Sequence, residues 1–110
     1  MRRGDLVTVS MQGDFGKPRP ALIIQSDIFG KYLASTFTVL PVTSALVSAP
    51  LLRITVQPSP ENGLQKPSQI MVDKIMTIKH TKVGSSFGRI DAHTLALVES
   101  YLATFLGITR

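Results

Sequence analysis

Short apolar runs, broken by glycine, proline and small polar residues, fill most of this chain, and a helical period appears only near its end. Residues 5–9 (DLVTV) read as a first strand, followed by a loop over 10–16 that holds two glycines and an acid. Residues 20–25 read as a second strand, apolar from Ala21 to Ile24, which predicts that it is buried. Ser26 and Asp27 then open one or two helical turns through Phe29 and Lys31. Residues 35–43 (STFTVLPVT) make a third strand whose Pro41 argues for a sheet edge or a bulge. A small-residue loop over 44–50 leads into a fourth strand, 51–57, with Arg53 on the face opposite Leu52 and Ile54. The stretch 58–66 (PSPENGLQK) is the most turn-rich and predicts a long hairpin or surface loop. Short strands follow over 68–73 and 75–79, then a turn with Gly84 and Gly88 and a last short strand ending at Ile90. Asp91 reads as a helix N-cap. Behind it Leu95, Val98, Leu102 and Phe105, with Tyr101 and Leu106 beside them, fall at helical spacing until Gly107. The pattern predicts a mainly-β fold, a small and strongly bent β-barrel with a C-terminal amphipathic helix, and a single domain over residues 1–110.

Composition adds a charge and removes several chemistries. Twelve bases against seven acids give a net charge of +5, which fits a polyanion partner or simply a soluble basic surface, since the bases are scattered. Apolar residues make up 44% of the 110, enough that a partner or a second copy is expected to cover part of the surface. With no cysteine there is no disulfide, thiolate nucleophile or cysteine-based zinc site, and two histidines far apart make no metal site expected. Arg2 and Arg3 are followed by Asp5 rather than a long apolar stretch, so neither a signal peptide nor a membrane span is read, and the expected location is the cytoplasm.

The chemistry open to a basic protein of this kind includes metal-free RNA cleavage, in which the 2′-OH of the substrate attacks its own neighbouring phosphate. The protein must take up the hydroxyl proton, stabilise the charged transition state and protonate the leaving 5′-oxygen. Arg19 stands between two prolines in KPRPALII, on a backbone biased to extended geometry, which suits phosphate recognition; the alternative is a rigid strand entrance with a solvated charge. Thr43 and Ser44 leave the third strand and either bond a phosphate or cap their own turn. Asp73 is a turn acid or a proton-handling acid, with Lys74 next to it. Asp14 and Lys17, in the first loop, contact substrate or are solvated. His80 lies in the basic run KHTK, either at an RNA surface or at a solvated hairpin tip, and His93 reads as a surface residue. Phe15, Phe29, Tyr32 and Phe87 lie in or near loops, as base-stacking groups or as barrel-end core.

RRGDLVTV, KPRPALIIQSD, VLPVTS and the stretch from IMVDKIMTI to GRID resemble, in order and spacing, the MazF/PemK (Kid) toxins of bacterial toxin–antitoxin systems, from about Arg2 to Gly107. The resemblance implies an SH3-like barrel with a C-terminal helix, a homodimer, a cognate antitoxin, and metal-independent, cofactor-free cleavage of single-stranded RNA to 2′,3′-cyclic phosphate and 5′-hydroxyl ends. It carries the family's catalytic arginine onto Arg19, the catalytic threonine onto Thr43 and an acid onto Asp73, with Asp14, Lys17, Ser44, Lys74 and His80 as candidate RNA contacts. Two positions depart from the pattern: the first loop is short, with Asp14 as its nearest acid, and Met71 stands where an arginine precedes the acid. The competing expectations are a gyrase poison of the CcdB type, against which the absence of tryptophan counts, and a non-catalytic nucleic-acid-binding barrel.

Overall fold

Leu6, Leu22 and Leu40 lie side by side on three adjacent strands and are wholly buried, which explains why the first half of the chain folds as a sheet. In the computed structural model, which describes residues 1–10, 17–31 and 35–108, these strands are β1 (Asp5–Ser10), β2 (Pro18–Ile23) and β3 (Thr36–Thr43). The intervening residues of the same strands, Val7, Ala21, Ile23 and Val39, are buried on the opposite face with Ile78. Both faces of this part of the sheet are therefore covered, as the unbroken apolar run in β2 requires. Each fully buried side chain of this size contributes about 1.5–3 kcal/mol.

Four more strands complete an antiparallel sheet: β4 (Arg53–Val56), β5 (Ser68–Met71), β6 (Met76–Lys79) and β7 (Val83–Arg89). The strand path runs β4–β5–β3–β2–β1–β7, with β6 also on β3, and it is open, with β4 and β7 at its ends. One α-helix, α1 (Ala92–Phe105), packs on the face that carries the three leucines. Asp91 caps it as expected: its carboxylate accepts from the Thr94 N–H at 3.0 Å and from the Thr94 hydroxyl at 2.6 Å. These bonds hold the Asp91 carboxyl below the usual carboxylate range. Gly107, with φ +74°, ends the helix.

The structure changes four expectations. Pro41 sits in an interior strand rather than at an edge, at the point where β3 parts from β2. The segment 83–90 is not a turn and a short strand but one seven-residue strand, because its glycines serve close approach: a Cβ at Gly84 would collide with the Thr8 hydroxyl and one at Gly88 with the Asn62 carbonyl oxygen. The strand expected to reach residue 73 stops at Met71, and Val72–Lys74 form a single 3-10 turn. Val98, Leu95, Tyr101 and Leu102 face the core, but Phe105 and Leu106 are 46% and 53% exposed, so the last helical turn projects beyond it.

The two ends of the chain meet at Asp5. This buried carboxylate accepts from the Arg2 N–H at 2.8 Å and pairs with the Arg89 guanidinium, which also donates to the Arg3 carbonyl at 3.0 Å. RRGD and GRID are thus halves of one structural tie between β1 and the segment that leads into α1.

Candidate active site

The candidate site exists because β3 parts from β2 on one edge while β5 holds it on the other. Its pairing with β2 ends at Ala21 opposite Pro41, whose ring nitrogen has no hydrogen to give a ladder bond. Beyond Pro41, Val42 and Thr43 pair with Ile70 and Gln69 of β5. The start of β2 and the end of β3 consequently splay apart, and a cavity of about 460 Å³ opens between them. Arg19 and Pro20 line one side, Thr43 and Ser44 the other, and Lys66 and Met71 also line it. Arg19 is exposed and lies opposite Val9 in the β1–β2 ladder, so its backbone is held by the sheet as well as by the flanking prolines.

The turn that follows Thr43 is held by polar side chains, of which Gln69 is buried. The Thr43 hydroxyl accepts from the Ala45 N–H at 3.1 Å, and its own hydrogen remains available to donate. Gln69 is only 7% exposed. Its amide oxygen accepts from the Val47 N–H at 3.1 Å and from Arg53 at 3.1 Å, and its amide nitrogen donates to the Val47 carbonyl at 2.9 Å and to the Thr55 hydroxyl at 3.2 Å. Arg53 also donates to the Ala45 carbonyl at 3.0 Å. The loop after Thr43 is therefore clamped at Ala45 and Val47 by side chains of β4 and β5.

Asp73 stands apart from this cavity. Leu40 and Pro41 of β3 lie opposite the longer segment from Met71 to Ile75, because Val39 faces Met76 and Val42 faces Ile70. The surplus residues loop out as the 3-10 turn, with Asp73 at its centre. The Asp73 side chain is 21% exposed and lies 3.4 Å from the Lys74 ammonium; neither residue lines the cavity, although Met71 does. Lys17 is exposed beside the entrance of β2. His80 is exposed in a 3-10 turn whose N–H donates to the Ser35 carbonyl at 2.9 Å. That places it beside the opposite end of β3 from Thr43, on the order of 20 Å away at strand rise. Asp14 lies outside the described residues.

The fold thus brings together Arg19, Thr43 and Ser44, each singled out in the sequence, and adds Lys66, Gln69 and the wall of residues 64–66, which the sequence reading missed. The missed residues sit in or just after the turn-rich stretch 58–66, read only as a surface connection; its closing lysine was the available signal. Among the described residues no group of three or more His, Asp or Glu is placed to hold a metal ion, and no helix is long and apolar enough to cross a membrane.

Residues 2–106 match the model of the PemK-like, MazF-like toxin of type II toxin–antitoxin systems. A probable endoribonuclease MazF of Mycolicibacterium smegmatis is 40% identical over 109 residues, covering 98% of both chains. Among solved structures, an endoribonuclease in complex with its cognate antitoxin from Mycobacterial species superposes with a TM-score of 0.83 at 20% identity, covering 100% of this chain and 98% of that one. The toxin MazF-mt6 of Mycobacterium tuberculosis gives 0.81 at 21% identity over 96% and 99%. A MazE–MazF complex from Deinococcus radiodurans gives 0.81 at 22% over 99% and 97%. The sheet with its single C-terminal helix is the fold of these toxins, and the family match spans nearly the whole sequence. This chain belongs to the PemK-like, MazF-like toxin family of type II toxin–antitoxin systems.

Proposed function

We propose that this chain is a toxin endoribonuclease that cuts single-stranded RNA in the cavity between β2 and β3. The substrate's 2′-oxygen attacks the adjacent phosphorus while the bond to the 5′-oxygen breaks, leaving a 2′,3′-cyclic phosphate and a 5′-hydroxyl. The Arg19 guanidinium stabilises the charge that grows on the phosphoryl oxygens, and the O–H of Thr43 donates to the same group. Asp73 is the acid closest in sequence to the Met71 wall and takes the proton-handling role that the family resemblance gives it. Lys17, Ser44, Lys66 and Lys74 supply flanking phosphate contacts. The working molecule is a cytoplasmic homodimer, neutralised by an antitoxin whose acidic segment covers the Arg19 region; relatives solved in complex with antitoxins support that partner.

The observation that carries this reading is that Arg19 and Thr43, distant in sequence, line one cavity. Its test is the chemistry of the product ends. Purified protein and a long single-stranded RNA, incubated in EDTA, are expected to give fragments with cyclic-phosphate 3′ ends and 5′-hydroxyls. Intact RNA, or 5′-phosphate ends, would contradict it.

A further inference from the structure

A second cavity, of about 590 Å³, adjoins the first, and Pro20, Leu64 and Gln65 line both. Its remaining walls include Thr8, Pro18 and Phe87. The linings divide by chemistry. Among the described residues, the first cavity has the cations Arg19 and Lys66; the second has no charged side chain in its lining, and offers an aromatic ring, two prolines, a hydroxyl and an amide. A phosphate belongs with the cations. A nucleobase, with a flat apolar face and a polar edge, fits the second set.

The ring is presented rather than hidden: Phe87 is 37% exposed in the middle of β7. The segment beside it is also fixed before any ligand arrives. Asn62 is 5% exposed, and its side-chain oxygen accepts from the N–H groups of Ser59 at 3.0 Å and Leu64 at 2.9 Å, while its amide donates to the Gln57 carbonyl at 2.9 Å. The Glu61 carbonyl accepts from the Arg89 N–H at 2.9 Å, tying this segment to β7 two residues from the ring. Gly63 has φ +66°, and a Cβ there would lie 3.2 Å from the Phe87 ring and closer still to its carbonyl oxygen. Ring and wall therefore pack directly, so binding orders little chain.

We infer that the second cavity is a nucleobase subsite, in which a base of the RNA strand next to the scissile phosphate stacks on Phe87 with its edge at Gln65 and Thr8. This rests on the proposed cleavage in the first cavity. The test compares oligonucleotides that carry a mapped cleavage site and end at it on one side or continue past it, extended in the 5′ or the 3′ direction. In one direction the extension is expected to raise kcat/KM about tenfold, the worth of one stacked base. Phe87→Leu keeps an apolar side chain against Gly63 but no aromatic face, and should reduce the extended-to-short ratio to about one, while Phe87→Trp retains the gain. If the wild-type protein cuts RNA but neither extension helps, or if Phe87→Leu keeps the full ratio, the subsite is refuted and the cleavage reading stands. If Phe87→Leu weakens antitoxin binding and leaves the ratio intact, the surface serves the antitoxin and the inference is equally refuted. RNA uncut at every length would remove the cleavage reading itself.

Discussion

Thr43 carries a divided hydroxyl: a lone pair holds Ala45 in its turn, and the hydroxyl hydrogen is left to donate, in a residue that lines the cavity. The turn-cap reading of this residue is met by that bond, and the phosphate contact proposed for it uses the same side chain. What the sequence did not reveal is the support behind it, because Gln69 looks like any polar residue in a β run until the loop of Val47 is folded onto it. Replacing Gln69 with Leu removes both bonds to Val47 and the bonds to Arg53 and Thr55, at a cost of about 1–3 kcal/mol. The expected result is a lower thermal midpoint and a lower single-turnover rate. If the rate loss acts through the Thr43 turn, the double variant Gln69→Leu with Thr43→Val will be no slower than Thr43→Val alone. Strictly additive losses would separate the clamp from the site.

At the scale of elements, the legible features were those with a local signature. The apolar run of β2, the cap at Asp91 and the stop at Gly107 follow from propensity and period, and all stand as read. The misread ones depend on contacts between distant segments. Gly84 and Gly88 look like turn residues, and only the approach of Thr8 and Asn62 makes them strand residues. Pro41 looks like an edge or bulge signal, yet it lies in an interior strand where β3 parts from β2 with β5 still paired on the other edge, and that parting opens the cavity. For α1 the expectation is quantitative. Asp91→Ala should destabilise the fold by about 1 kcal/mol near neutral pH. Because the folded Asp91 carboxyl is held below its unfolded value by the Thr94 hydroxyl and N–H, its contribution is complete above the ordinary carboxylate pKa of about 4 and is lost as pH falls through the lowered folded value. Chemical denaturation of both proteins across this range should show the gap closing only on the acid side.

On the scale of the whole molecule, the sheet, the Asp5–Arg89 tie and the parting of β3 from β2 combine to bring two segments of a basic chain to a single concavity. The net charge of +5 is compatible with a polyanion partner and gives no place for one, since the bases are scattered and only folding puts Arg19 and Lys66 in one lining. The composition likewise left a gyrase poison and a non-cutting RNA binder open, and neither requires Arg19 to act on a phosphate. Single-turnover cleavage of an oligonucleotide carrying a mapped site, in EDTA, by the wild-type protein and by Arg19→Ala tests the claim most directly. The wild-type rate should be insensitive to EDTA, and Arg19→Ala, checked as folded by circular dichroism, should be slower by about a hundredfold or more, as expected for a group that stabilises transition-state charge. A rate for Arg19→Ala within about twofold of wild type would show that the cavity between β2 and β3 is not where the RNA is cut.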